Sequence, residues 1–185
     1  MAHKVLDFVH RVAAHAIRSG DVAIDATAGN GHDTARLAQA VGSAGHVWAF
    51  DIQAKALRNT ARRLGDLGLG ERVTLVRETH ARMVDYVPDG VRVAAFNLGY
   101  LPGGSRDLIT RPGSTRHALT AAADLLLPGG LLIVVIYAGH PGGAAEKEAV
   151  DYWLDERVGS GWGVVRFGFS GKRGAPPEAV IVRRR

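Results

Sequence analysis

Cysteine is absent from this 185-residue chain. Its absence excludes a disulfide framework, a thiolate metal site and a cysteine nucleophile. Long apolar runs are also absent: the longest, residues 131–138, is too short to span a bilayer, and no charged-then-apolar segment opens the sequence. We therefore expect a cytoplasmic protein without a membrane partner.

Lysine is scarce, although the chain is basic. Only four of the 23 basic residues are lysine, and arginines cluster at Arg62-Arg63 and at Arg183-Arg184-Arg185. The net charge of +5 and the pI of about 10.0 favour a polyanionic partner. A composition rich in arginine, alanine and glycine can equally reflect genomic base composition and a solvated surface. Basicity alone leaves both interpretations open.

Strand and helix patterns alternate along the chain, and the last two apolar runs, 162–169 and 178–182, look like an antiparallel pair. We predict an α/β fold: a Rossmann-like, seven-stranded, mostly parallel sheet with a C-terminal antiparallel hairpin, in a single domain spanning 1–185. Ser114-Thr115 is predicted to cap a helix that begins at Arg116. Pro128-Gly129-Gly130 is predicted to form a tight turn before the fifth strand.

One stretch, residues 22–34, organises the prediction. A short apolar strand ends in Asp25, a small glycine-containing turn follows, and Asp33-Thr34 opens a helical pattern. Gly29 and Gly31 supply the first two glycines of the dinucleotide pattern G-x-G-x-x-G, whereas threonine stands at the third. Glycines allow a ligand to approach the backbone, and a helix N-terminus offers unpaired N–H groups. The stretch therefore predicts a ligand site.

A second acidic residue, Asp51, ends the next predicted strand, twenty residues after Gly31. An acid at about this distance usually accepts hydrogen bonds from ribose hydroxyls, while nothing in the turn demands a pyrophosphate. S-adenosylmethionine satisfies both observations, because it has a ribose and an amino-acid end but no phosphate. The alternative is a structural βαβ turn with a solvated aspartate at each strand end.

The fourth predicted strand runs into Asn97-Leu98-Gly99-Tyr100. Its loop should lie beside the first-strand loop, where the strand order reverses, and so face the transferable group. Methyltransferases that act on exocyclic amines carry a related motif: asparagine or aspartate, two residues, then an aromatic residue that stacks on the base. The spacing favours a nitrogen acceptor. The alternative is a glycine-proline turn in which Asn97 satisfies backbone groups.

Two histidines lie on predicted ligand-facing loops. His80 either contacts an adenine ring or caps the helix that follows. His140 is either a proton acceptor or substrate contact, or it stabilises its turn. We interpret His10 and His15 as surface or cap residues, because metal ligands on a helix prefer a spacing of three or four residues. No metal site is predicted.

Over nearly its whole length the chain resembles the Putative rRNA methylase family. The resemblance rests on the stretches 25–34, 50–53, 79–80, 96–104 and 137–143, with Glu146. It implies a class I S-adenosylmethionine-dependent methyltransferase fold. It also implies methylation of the aminomethyl nitrogen of 5-aminomethyl-2-thiouridine at the wobble position of tRNA. The anticodon region of tRNA would then be the substrate and partner.

Carried onto this chain, the resemblance places the amine beside Asn97 and Tyr100, with His140 nearby. These three are the predicted catalytic residues. A homodimer is compatible with the sequence, which does not determine the oligomeric state. The predicted cofactor-binding residues are Asp25, Thr27, Gly29, Asn30, Gly31, Asp33, Thr34, Asp51, Ile52, Gln53, His80 and Asn97.

Two other functions stay open at this point. A methyltransferase for rRNA or for a small-molecule amine would use the same site. Small-molecule enzymes usually carry an added lid, however, whereas this chain has little beyond the core sheet. A non-catalytic nucleotide-binding or RNA-binding module would need no reaction-facing loop, so Asp25, Asp51 and the 97–100 stretch argue against it.

Overall fold

The computed structural model describes residues 2–99, 112–139, 142–157, 161–169 and 176–185. The helices are α1 (Ala2–Ala16), α2 (His32–Val41), α3 (Ala54–Asp66), α4 (Pro112–Leu125) and α5 (Gly143–Asp155), with short 3₁₀ helices at Gly70–Arg72 and His80–Asp85. The strands are β1 (Val22–Asp25), β2 (His46–Phe50), β3 (Val73–Val76), β4 (Val91–Leu98), β5 (Leu126–Ile136), β6 (Trp162–Phe167) and β7 (Glu178–Arg184).

The seven strands form one sheet in the order β3-β2-β1-β4-β5-β7-β6. Strands β1 to β5 pair in parallel, while β7 pairs antiparallel with both β5 and β6. This confirms the predicted fold class. The strand order reverses between β1 and β4, so the carboxyl ends of these two strands open a crevice where ligands bind in such sheets.

Helices cover both faces of the sheet, which is why its inner strands are apolar on both sides. On β5, Leu132 and Val134 pack in a cluster with α4 and α5, whereas Ile133 and Val135 pack in a cluster with α1 and α2. The alternation follows from the two-residue repeat of a strand. Among the described residues, no helix has the length and apolar character needed to cross a bilayer.

Helix α4 begins at Pro112, earlier than the predicted start at Arg116. Proline is favoured in a first helical turn, where its missing N–H costs nothing. The predicted capping role of Thr115 is wrong, because this residue is buried inside α4 and its hydroxyl donates to Glu146 Oε1 at 2.7 Å. A buried carboxylate requires such a donor, which explains why the threonine serves packing and not the helix end.

Strand β5 begins at Leu126, so the predicted tight turn at 128–130 is a bulge within the strand. Val91 of β4 pairs with Leu126, and Val93 pairs with Leu131, which leaves the intervening residues of β5 looped out. Gly129 adopts a φ of 78°, and a Cβ on Gly130 would lie 2.8 Å from the carbonyl oxygen of Leu127. The two glycines thus allow the backbone to form this bulge without a steric clash.

Candidate functional site

The turn after β1 is organised by the fully buried carboxylate of Asp25. Its Oδ1 accepts from the Thr27 backbone N–H at 3.1 Å, and its Oδ2 accepts from the Thr34 hydroxyl at 2.6 Å. Burial, and secondarily the negative charge of Asp33, raises the pKa of Asp25 to about 7. The structure therefore places Asp25 and Thr34 beneath the turn, and a direct contact of either with a cofactor stays a prediction.

Gly31 is required by both conformation and space. Its φ of 76° lies in the left-handed region, and a Cβ at this position would lie 2.8 Å from the Cα of Thr60 on α3. The Thr60 hydroxyl also donates to the Gly29 carbonyl at 3.1 Å. Helix α3 is thus packed directly against the glycine turn.

Asn30 is turned towards α3. Its Oδ1 accepts from Asn59 Nδ2 at 2.9 Å, and its backbone carbonyl accepts from Arg63 Nε at 2.8 Å. These two bonds anchor the turn to the helix. A cofactor contact of Asn30 stays a prediction.

Asp51 is positioned at the end of β2 by two backbone donors. Its Oδ1 accepts from Gln53 N at 2.8 Å and its Oδ2 from Gly29 N at 3.0 Å. Burial nevertheless raises the pKa of Asp51 above its usual range, so these N–H groups compensate the carboxylate only in part. Each oxygen retains a lone pair that can accept a further hydroxyl. The apolar side chain of the next residue, Ile52, is 50% exposed.

A hydrogen-bond network joins α1, α2 and the end of β4. The Asp33 carboxylate accepts from His10 Nε2 at 2.6 Å through Oδ1, and from Asn97 Nδ2 at 2.5 Å through Oδ2. Burial alone would raise the pKa of Asp33, but the hydrogen bond and charge of His10 and the Asn97 amide hold it below its usual range. Asp33 is therefore ionised at neutral pH.

Two polar atoms of this network are buried without a hydrogen-bond partner among the described residues: Asn97 Oδ1 and His10 Nδ1. Most buried polar atoms in proteins are paired, so an unpaired acceptor at a crevice calls for an explanation such as a bound group. Both residues line a cavity of about 310 Å³ whose other walls are largely apolar residues of α1, α2, β4 and β5.

The backbone of Asn97 is held as firmly as its side chain. Its N–H donates to the Thr27 hydroxyl at 2.8 Å, which ties the end of β4 to the turn after β1. Asn97 lies within β4 itself, since the strand continues to Leu98. A residue fixed on a strand is placed more exactly than one on a free loop.

His80 is buried, and its Nδ1 donates to the Ala26 carbonyl at 3.1 Å. Burial lowers the pKa of His80, so the ring is neutral near pH 7. The capping alternative is wrong: Thr79 caps the following 3₁₀ helix by accepting from the Ala81 N–H at 3.4 Å. The predicted adenine contact of His80 stays a prediction.

The structure brings Thr27, Asp33, Asp51 and Asn97 to one edge of the sheet. The predicted catalytic residues Tyr100 and His140 lie outside the described residues. Sequence reasoning missed His10, which it interpreted as a surface or cap residue. Its partner is 23 residues away, and a helical pattern alone does not reveal that contact.

Comparison with known proteins identifies relatives of this chain. A family model described as Putative rRNA methylase matches residues 47–183. The chloroplastic tRNA (mnm(5)s(2)U34)-methyltransferase of Arabidopsis thaliana is 38% identical over 192 residues, which cover 98% of this chain and 70% of that protein.

Two crystal structures are similar over almost their whole length. A putative rRNA-methylase from Clostridium thermocellum has a TM-score of 0.94 at 42% identity, covering 97% of this chain and 96% of that one. A methyltransferase from Streptococcus mutans in complex with SAH has a TM-score of 0.89 at 32% identity, covering 97% of each chain. The sheet order and these similarities show that the chain belongs to the Putative rRNA methylase family of methyltransferases.

Proposed function

We propose that this chain transfers a methyl group from S-adenosylmethionine to the aminomethyl nitrogen of 5-aminomethyl-2-thiouridine at the wobble position of tRNA. The observation that carries the proposal is Asn97, whose Oδ1 is buried and unpaired while its Nδ2 is bound to Asp33. An unpaired amide oxygen is an acceptor for an N–H group. The name of the Arabidopsis relative supports the choice of nucleoside.

The residues at the sheet edge fit S-adenosylmethionine. Asp51 has carboxylate lone pairs left for ribose hydroxyls and a raised pKa that further donors would relieve. The half-exposed Ile52 beside it offers an apolar surface for an adenine ring. Gly29 and Gly31 keep two positions of the turn free of side chains. When bound, the cofactor supplies an electrophilic methyl group on a sulfonium sulfur. The S. mutans relative, whose structure contains SAH, supports this assignment.

Asn97 would act by orienting the acceptor amine. With its Nδ2 bound to Asp33 and its backbone N–H bound to Thr27, the amide has a fixed orientation and presents its unpaired Oδ1 as an acceptor. An N–H bonded to this oxygen directs the nitrogen lone pair along a fixed line, and such alignment is the main requirement of a methyl transfer. The low-dielectric cavity favours the neutral amine over its protonated form.

The ionised Asp33 gives the site a fixed negative charge. Both oxygens of Asp33 accept hydrogen bonds, from His10 and from Asn97. The carboxylate therefore acts through its charge and does not itself attack the methyl group. A negative charge stabilises nearby cations, which include the sulfonium of the cofactor and the ammonium that forms when the neutral amine accepts the methyl group. The proposal includes RNA binding by this chain in the cytoplasm, where tRNA is available.

The test is an incubation of the purified protein with labelled S-adenosylmethionine and tRNA that lacks wobble methylation, followed by digestion to nucleosides. We expect label in 5-methylaminomethyl-2-thiouridine. Label in another nucleoside, or in rRNA and not in tRNA, would overturn the substrate. Tight binding of S-adenosylmethionine without transfer to tRNA, rRNA or small amines would overturn the activity and favour a binding module.

A further inference from the structure

Charge is distributed unequally between the two helical layers. Helices α1, α2 and α3 together carry seven Lys and Arg residues and three Asp and Glu residues, a net charge of +4. Helices α4 and α5 on the opposite face carry two basic and five acidic residues, a net charge of −3. Among these five helices, the positive charge therefore lies on the α1–α3 side of the sheet, where it favours a polyanion.

Most of this charge belongs to α3, which has four basic residues and one acidic residue. Arg58 and Arg62 are exposed and lie four residues apart, about 6 Å along the helix axis on one face. Within the described part of the chain, neither has an ion pair with a carboxylate. An unpaired arginine on a helix can offer its whole guanidinium group to a phosphate.

A polar pocket of about 380 Å³ lies between α3 and the glycine turn. Arg62 and Arg63 line it from the helix, and Asn30 and His32 line it from the turn. Arg63 also lies 3.0 Å from His32 Nε2, and burial together with the Arg63 charge lowers the pKa of His32. The histidine is therefore neutral near pH 7, and the charged groups that line the pocket are Arg62, Arg63 and Asp66, with a net charge of +1. This pocket connects the basic face with the candidate site.

We propose that the exposed face of α3, defined by Arg58 and Arg62 and continued by the pocket at Arg63, binds the sugar-phosphate backbone of the RNA substrate. The inference rests on the proposed function, because it assigns the surface that holds an RNA while one nucleoside reaches Asn97. Arginine contacts with phosphates give affinity and orientation without sequence selectivity. Choice of nucleoside is then left to the crevice between β1 and β4.

The experiment compares two double charge reversals, R58E/R62E and R183E/R185E. Arg183 and Arg185 are also exposed. Arg183 pairs with Leu131 in the middle of β5, and β7 runs antiparallel to β5, so Arg183 and Arg185 lie away from the carboxyl end of β5. Both variants change the net charge by the same amount, so a general electrostatic repulsion of RNA would weaken binding equally in the two. Arg63 is left intact because it anchors Asn30.

Binding of unmodified tRNA is measured by fluorescence anisotropy between about 50 and 300 mM KCl, because log Kd depends linearly on log salt with a slope set by the number of phosphate contacts. We expect R58E/R62E to raise the Kd at least about 10-fold and to reduce the slope of log Kd against log salt by about two, one for each lost phosphate contact. The R183E/R185E variant should stay within about 2-fold of wild type. Binding of S-adenosylmethionine and the melting temperature serve as controls for folding.

Equal losses in the two variants, or no loss in R58E/R62E, would overturn the docking surface. If R58E/R62E no longer binds phosphatidylserine vesicles but binds tRNA as wild type does, the RNA-docking surface is overturned in favour of a membrane-binding surface. A failure of the proposed function gives a different result: the wild-type protein would bind tRNA through α3 but would transfer no labelled methyl group to it. Normal wild-type methylation with no effect of R58E/R62E on Kd or KM would instead contradict the docking surface alone.

Discussion

His10 of α1 and Asp33 of α2 are joined by a hydrogen bond of 2.6 Å, and the second oxygen of the same carboxylate holds the Asn97 amide. An N-terminal helix is thereby connected to the residue that we propose meets the acceptor amine. Since the amide is held through Asp33 and not by His10 directly, His10 is a positioning residue in this arrangement.

Replacing His10 tests the connection. We expect His10→Ala to lower kcat about 10-fold, because Asp33 loses a donor and no longer fixes the Asn97 amide. His10→Gln should retain most of the activity, since a glutamine amide can donate to Asp33 in place of Nε2. The exposed His15 on the same helix provides the control, His15→Ala. If His10→Gln is as slow as His10→Ala, the ring itself takes part in proton transfer and the positioning role is wrong.

Asn97→Ala should separate turnover from cofactor binding. Removing the unpaired Oδ1 abolishes the proposed orientation of the amine, so we expect kcat to fall by about 100-fold, as for other preorganised polar groups. The Kd for S-adenosylmethionine should change by less than about 2-fold. Equal losses of turnover and cofactor affinity in Asn97→Ala would contradict the role.

The raised pKa of Asp25 predicts a pH-dependent stability. With a pKa of about 7 in the folded protein against 3.8 ordinarily, the folded state binds one more proton than the unfolded chain between these values. The free energy of unfolding should therefore fall as pH rises from about 4 to about 7, by at most about 4 kcal/mol from this residue. Above pH 7 its contribution is constant.

Asp25→Asn is the variant that isolates this effect. Asparagine has the same shape and can accept from the Thr27 N–H while donating to the Thr34 hydroxyl, so it resembles the protonated carboxyl. Urea unfolding from pH 5 to pH 8 should show a smaller decline in stability for the variant than for wild type. Parallel curves for the two proteins would mean that Asp25 titrates at its ordinary pKa.

Gly31→Ala should cost more stability than Gly68→Ala. Both glycines have positive φ, 76° and 65°, so alanine is strained by about 1 kcal/mol at either position. Only at Gly31 would the new Cβ also lie within 3 Å of another residue, Thr60, whereas nothing lies within 4 Å at Gly68. We expect an additional loss of about 1 to 3 kcal/mol for Gly31→Ala in urea unfolding. Equal losses would show that α3 shifts without cost.

The sheet and the edge that carries the site could be predicted from sequence. Asp25 ends β1 and Asp51 directly follows β2, close to the positions expected. The strand order follows from the βαβ pattern because parallel connections have few topologies. The position of the Asn97 stretch at the same edge of the sheet could be predicted for the same reason, since it follows a parallel strand. The two bonds that hold Asn97 are both donated by it, to Thr27 and to Asp33. They join residues 70 and 64 positions apart, so no local pattern could predict them.

The two errors in the predicted helix and turn have tertiary causes. Thr115 has the residue type and position of a helix cap, but its hydroxyl is drawn to the buried Glu146 on another helix. Pro128-Gly129-Gly130 has turn composition, yet β4 pairs on both sides of it and keeps the segment in the strand as a bulge. In both cases a tertiary partner overrides a correct local preference.

The place of β7 in the sheet has a consequence for synthesis on the ribosome. β7 follows every other strand in the chain, yet it lies between β5 and β6 and covers the apolar edge of β5. Until residues 178–184 have left the exit tunnel, β5 presents an unpaired edge and β6 has no neighbour among the described strands. An unpaired apolar edge can pair with another chain, so the incorporation of β7 also protects the folding chain against aggregation.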